Sequence, residues 1–171
     1  DISSRELVAM AAGLGNLDPP VPDKDFFIGI GARVLRPASG WTAKSLEERS
    51  SAGARFLQTQ LCFNLDILRE YMQCLIAKQL TWKYSVIVSL APLPSADKAR
   101  WLKKNLSGSR IPSAVIHRLE KAKDPEREGI EICAELMTEI VQIPGVTGIN
   151  LMTMGNPESI RDAIKTSGLR Q

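Results

Sequence analysis

Ala52-Gly53-Ala54-Arg55-Phe56-Leu57-Gln58-Thr59-Gln60-Leu61-Cys62-Phe63-Asn64 is the stretch whose reading decides the fold. It runs from a helix end through a turn into an apolar strand over residues 55–61, and on to Asn64 as the cap of the next helix. The strand keeps Gln58 and Gln60 among its apolar residues. A buried amide left without a partner costs about 1–3 kcal/mol, so a glutamine at the carboxyl end of a strand calls for a polar neighbour. The carboxyl ends of parallel strands are also where α/β folds bind ligands. Gln60 is therefore the first candidate functional residue. Thr59 points to the opposite face by strand alternation and reads as structural.

The flanking sequence sets this strand in a repeating order. Ser3-Ser4-Arg5-Glu6 has the capping-box spacing, and Leu7, Val8, Met10, Ala11 and Leu14 follow at helical intervals up to a stop at Gly15-Asn16. Asp18-Pro19-Pro20-Val21-Pro22 reads as a rigid loop. Residues 26–32 form a short, continuously apolar strand, the kind buried on both faces of a parallel sheet. Thr42 or Ser45 is expected to cap a helix that ends near Ser51. Beyond the helix capped by Asn64, residues 84–90 make a third strand and Ser95 opens a helix to about residue 105. Ser109-Arg110-Ile111-Pro112 opens another helix. Asp124-Pro125-Glu126 opens a third with a cap, a proline at the first helical position and acids at the positive end. Pro144-Gly145 turns into a strand over 148–153, Asn156-Pro157-Glu158 opens the last helix, and Gly168 ends it.

A leading helix followed by four strand-plus-helix units predicts an α/β fold with parallel strands. Four such strands make half of an eight-stranded barrel or a small doubly wound sheet. No G-x-G-x-x-G fingerprint follows a strand; Gly29-Ile30-Gly31 is a bare G-x-G that runs into a loop. The leading helix has no strand before it, so a further strand is expected upstream.

The 171 residues suffice for a single domain with a sizeable core. A net charge of +3 with scattered basic residues gives no nucleic-acid footprint, and the Lys103-Lys104 run with Arg110 reads as a solvated helix end. No run of about 18 apolar residues suggests a membrane span. Cys62, Cys74 and Cys133 lack the spacing of a zinc site or a disulfide framework and read as reduced thiols in a cytoplasmic protein. His117, the single histidine, has no acid or nucleophile at motif spacing and reads as a surface or packing residue. Glu126, Glu128 and Glu131 read as a solvated helix face.

The sequence resembles the second half of the methylenetetrahydrofolate reductase family. The matching pieces come in family order: Phe26-Phe27-Ile28-Gly29, Leu46-Glu47, Ala52-Gly53-Ala54, Phe56 with Gln58-Thr59-Gln60, and Leu90-Ala91-Pro92-Leu93. Ile111-Pro112, Arg118-Leu119, Glu128-Gly129-Ile130, Gly145-Val146 and Gly148-Ile149-Asn150-Leu151-Met152 follow, the last most like the short microbial branch. The resemblance implies strands five to eight of a TIM-type (β/α)8 barrel, with the amino-terminal half missing or on another chain. It implies a flavin-dependent oxidoreductase of one-carbon metabolism and methionine biosynthesis, reducing 5,10-methylenetetrahydrofolate to 5-methyltetrahydrofolate. FAD would be the cofactor, with NADH, NADPH or a partner subunit as electron donor. The expected partners are the folate substrate and either further copies of the chain or a chain supplying the other half-barrel. The alternative is a non-catalytic folate-binding or assembly subunit of the same family.

By the same resemblance, Gln60 matches the glutamine that contacts the folate ring; an amide can donate and accept at once, which suits a pterin edge. Arg49 stands where many members carry a lysine that reaches the flavin phosphate, and arginine is a competent phosphate partner; its alternative role is pairing with a neighbouring acid. Gly29 and Gly31 either admit a ligand close to the backbone or make room for packing. Gly31-Ala32-Arg33-Val34 departs from the family's Ala-x-Asn-Pro or Tyr-Pro, and Arg33 and Arg36 are candidates for the flavin diphosphate there. The family's acids for folate protonation and for the flavin pyrimidine belong to the other half, so no catalytic residue is assigned to this chain.

Overall fold

A computed structural model describes residues 2–14, 26–38, 40–106 and 108–169. The expected Gly15-Asn16 stop and the proline-rich loop after it lie outside them. Strands β1 (Gly29–Ala32), β2 (Phe56–Leu61), β3 (Ser85–Leu90) and β4 (Val146–Leu151) form one sheet in the order β1-β2-β3-β4, every neighbouring pair parallel. The helices are α1 (Ser4–Gly13), α2 (Lys44–Ser51), α3 (Leu65–Ala77), α4 (Ala96–Asn105), α5 (Ser113–Lys121), α6 (Pro125–Ile140) and α7 (Glu158–Ser167). A doubly wound sheet reverses its strand order at a switch point. This order never reverses, and right-handed crossovers then lay the helices on one side. The sheet is therefore an arc of a TIM-type barrel.

Burial follows from that. Ile30, Leu57, Leu61, Val86, Val88 and Leu90 turn to the helical side and share one core with Leu68, Met72 and Leu75 of α3 and Ile140 of α6. Alternate residues Gly31, Gln58, Ile87 and Gly148 sit side by side across the four strands on the other face. Helix α6 comes so near the segment after β3 that a Cβ on Gly129 would lie 1.9 Å from the Leu93 carbonyl oxygen. The Glu128-Gly129-Ile130 motif is thus a close-packing requirement.

Local signals set most helix starts. Ser3 and Glu6 complete the capping box of α1, and the side chains of Asn64, Ser95 and Asp124 accept from the backbone N–H three residues on. Gly168, at φ 66°, ends α7. Elsewhere the structure differs. The first strand is shorter than its apolar run and is not buried on both faces: Phe26 and Phe27 are 52% and 68% exposed. Among the described residues it lies at the sheet edge, with β2 as its one strand neighbour. Neither Thr42 nor Ser45 caps α2; Ala43 holds that place with no side-chain bond. Ser109 does not open α5, which starts at Ser113. Its buried hydroxyl donates to the Leu102 and Leu106 carbonyls and closes the end of α4 instead. β4 begins at Val146 and ends at Leu151, two residues before its expected place at each end. On the helix face read as solvated, Glu126 accepts from Asn156, Glu128 pairs with Arg118 and Glu131 pairs with Arg127 on the same helix.

Candidate functional site

Gln60 stands at the carboxyl end of β2, where the β2–β3 register shifts between Gln58 and Leu61. Thr59 explains how the ladder survives this irregularity. Its buried hydroxyl accepts the Ser89 N–H (3.0 Å) and donates to the Gln60 carbonyl (2.8 Å), holding two backbone groups together. A bulge of this kind re-aims the neighbouring side chain. The side-chain carbonyl oxygen of Gln60 is buried with no hydrogen-bond partner among the described residues. Native proteins rarely leave such an atom unpaired, so it is a candidate acceptor for a donor beyond the described residues.

Two depressions meet at Gln60. One is a hollow of about 500 Å³ on the open face of the sheet, bordered by Gly31, Phe56, Gln58, Leu106 and Met152. The other is a cleft of about 660 Å³ bordered by Arg33, Arg36, Trp41, Ser45, Arg49 and Tyr71. The hollow is mostly apolar with amide edges; the cleft is bordered by three arginines.

The cleft residues come from three places: the connection after β1 (Arg33, Arg36 and Trp41), α2 (Ser45 and Arg49) and α3 (Tyr71). Helix α2 presents Arg49, and α2 is tied to the sheet by buried Leu46, whose carbonyl accepts from the Tyr84 hydroxyl. Arg49 folds back on its own helix, Nε to the Ser45 carbonyl at 3.0 Å and a terminal nitrogen to the Ser45 hydroxyl at 3.2 Å. Among the described residues it makes no ion pair. Arg36 does make one, with Glu70 at 2.9 Å, which draws part of its charge away from the cleft. No ion pair of Arg33 appears among the described residues. Tyr71 meets Trp41 edge-on, ring centroids 6.4 Å apart, and burial pushes its phenol up to about 12 against the opposing pull of Arg49. Tyr71 is therefore a neutral donor at neutral pH.

The two glycines of β1 part company. The ring of Phe56 lies over Gly29, where a Cβ would sit 2.1 Å from its tip, and Phe27 stacks on Phe56 at 5.4 Å. The space above Gly29 belongs to that aromatic pair. Gly31 has nothing within 4 Å of a would-be Cβ and borders both depressions, so the backbone there is open to a ligand. Cys62 follows β2 but is buried, its thiol pushed up to about 11, and Cys133 up to about 12; neither is a ready nucleophile. His117 is on the surface near Glu120, away from the site.

Sequence reasoning did not find Trp41, Tyr71, Leu106 or Met152. They read as ordinary core or loop residues, and only the fold gathers them. Ser45, four residues before Arg49 on one helix, carried a detectable signal.

The family profile of methylenetetrahydrofolate reductase matches residues 36–168, which take in Gln60, Arg49 and three of the four strands. The chain belongs to this family. It is 26% identical over 128 residues to a Caenorhabditis elegans protein named "Probable methylenetetrahydrofolate reductase (NADPH)". That match takes in 72% of this chain and 19% of the relative, so the chain spans about a fifth of that protein's length. A solved structure of a protein from Clostridium thermocellum, described as binding two copies of 5-methyl-5,6,7,8-tetrahydrofolic acid, shares the fold. Its TM-score is 0.58 at 17% identity, over 84% of this chain and 52% of that one.

Proposed function

We propose that this chain supplies the folate- and flavin-facing wall of a 5,10-methylenetetrahydrofolate reductase. The observation that carries the reading is the unpaired carbonyl oxygen of Gln60, buried where the apolar hollow meets the arginine cleft. A pterin edge offers N–H donors to that oxygen, and the Gln60 amide nitrogen can answer a ring acceptor. Family membership supports a folate-related reductase, and the folate bound by the Clostridium thermocellum protein agrees with the same class of ligand.

The residues present fit a flavin dinucleotide. Arg49 and Arg33 border the cleft and suit a diphosphate, which takes charge-assisted hydrogen bonds from guanidinium groups. Gly31 admits a ring close to the strand backbone. When bound, the flavin supplies the hydride equivalent for reducing the folate methylene group. The chain's own part is to hold the pterin through Gln60, to neutralise phosphate through Arg49 and Arg33, and to present apolar walls at Leu106 and Met152 that exclude water. The remaining half-barrel, on the same polypeptide or another, would close the hollow and contribute the acids. The open edges at β1 and β4 suit such a complement, and homo-oligomer formation is compatible with it. NADH, NADPH or a partner subunit would supply electrons. The three free thiols suit a cytoplasmic setting, and no helix among the described residues is long and apolar enough to cross a membrane.

A second reading, a folate-binding subunit without catalysis, draws on one observation. The Arg33–Arg36 segment departs from the family pattern, and Arg36 is engaged by Glu70. The deciding experiment is the visible spectrum of the intact natural protein before and after anaerobic 5-methyltetrahydrofolate. A flavin band that bleaches is expected. A colourless protein that still binds the folate selects the second reading, and one that binds neither flavin nor folate overturns both.

A further inference from the structure

Gly108, in the connection between α4 and α5, lies against two site residues that the chain brings from far apart. A Cβ built on it would fall 2.4 Å from the Gln60 side-chain oxygen, and 3.2 and 3.3 Å from Cγ and Cδ of Arg33. Its φ of +119° is one that residues with a side chain rarely adopt, so glycine is required twice over, by conformation and by space. The oxygen it touches is the same one that has no partner among the described residues. One backbone position therefore sets how far the Gln60 amide can swing towards the loop. It also sets how closely the Arg33 stem lies alongside, at the point where the apolar hollow and the arginine cleft join.

We infer that Gly108 is a positioning residue of the ligand site: its missing side chain fixes the Gln60 amide and the Arg33 stem beside each other. The site thereby presents an amide and an arginine to a ligand that carries both a ring N–H and, elsewhere on the same molecule, an anionic group. This rests on the folate–flavin reading for its ligand, and both folate and flavin have that chemistry. The position of the Gln60 amide itself does not depend on the reading. The neighbours of an added methyl group are the far end of one flexible side chain and the stem of another, so both can yield. Gly108→Ala then displaces the reading groups while the fold persists, and the larger part of its effect falls on binding.

The test uses the natural protein with three substitutions, Gly108→Ala, Gly168→Ala and Gln60→Ala. Gly168 also has positive φ, at the milder left-handed value of +66°, with nothing within 4 Å and no place in the site, so it reports the general cost of an alanine at positive φ away from the site. Binding is measured with 5-methyltetrahydrofolate and, separately, with FAD. Gly108→Ala is expected to weaken at least one of them by about tenfold or more, the scale of one good hydrogen bond, and Gly168→Ala to leave both unchanged. In a Gln60→Ala background, Gly108→Ala should weaken folate binding far less than it does alone. Loss for folate only assigns the effect to the amide, and loss for FAD only assigns it to Arg33.

Independently of any ligand, the side-chain NH2 resonances of Gln60, identified by their absence in Gln60→Ala, should move in Gly108→Ala and stay in place in Gly168→Ala. Unmoved resonances, or equal losses of folate affinity with and without the Gln60 amide, overturn the inference. If the natural protein binds neither probe, the folate–flavin reading falls, and the resonance shift alone decides the role of Gly108.

Discussion

The two faces of the four strands obey different rules. Towards the helices, Leu57, Val86, Val88 and Leu90 are wholly buried against α3 and α6. Towards the open side, the same strands carry Gly31, Gln58, Gln60 and Asn150, small or polar residues that make a poor core. A strand facing two cores would read as apolar throughout; β2 alternates instead. The covered face carries the stability and leaves little room for change. The open face contributes little to folding and is free to be shaped for a ligand. Stability and binding should therefore respond to different substitutions on a single strand.

Leu57→Ala tests this most severely. Its removal from a site with no solvent exposure should cost about 2–5 kcal/mol in urea unfolding. Affinity of the molecules that remain folded should not change. A cost under about 1 kcal/mol would mean the covered face is not close-packed. Gly129→Ala comes next, at about 1–3 kcal/mol or more by thermal melting, because the obstructing atom is the Leu93 backbone carbonyl, which cannot swing aside.

Gln60→Ala should do the reverse. Folding stability should not fall, and can rise by up to about 1–3 kcal/mol, since the oxygen it removes is buried with no partner among the described residues. Affinity for 5-methyltetrahydrofolate should fall by about 1–3 kcal/mol in titration calorimetry. A variant that unfolds but binds normally when folded would invert the division of labour. Arg49→Ala should weaken flavin binding by about tenfold and flatten its dependence on ionic strength, because a charge-assisted contact is screened by salt. Equal salt slopes in both proteins would remove Arg49 from the phosphate wall.

The smallest effect lies outside both faces, on the helical layer. Arg118 holds the Glu135 carboxylate below its ordinary range, chiefly by hydrogen bonding, against an opposing desolvation. A carboxylate depressed on folding contributes stability above its unfolded value of about 4.5, and loses it as pH falls towards the folded value. Both side chains are substantially exposed, so the contribution is about 0.2–1 kcal/mol. An acid titration of Glu135→Gln should run nearly parallel to wild type above pH 5, offset by that amount, and converge with it below pH 4.

What the sequence made legible was local. Asn64, Ser95 and Asp124 announce α3, α4 and α6 because each bonds a backbone N–H three residues away. The alternation of β2 exposed Gln60 for a similar reason, since it needs only neighbours. The misread elements depend on distant partners. The apolar run at Phe26 and Phe27 reads as a buried strand until the sheet order makes β1 an edge. Ser109 has the look of a helix opener and instead closes the helix before it. The meeting of Gly108, Gln60 and Arg33 is encoded in no local pattern at all, because it needs one strand and two separate connections to converge.

The pairing of β3 with β4 has a consequence for how the chain comes to exist. Ser89 and Asn150, bonded across those strands, are 61 positions apart, with α4, α5 and α6 between them. During synthesis one rim of β3 must wait for all three helices to emerge before its neighbour is made. An unpaired strand rim is a template for mistaken partners, and β3 keeps one for the whole of this interval.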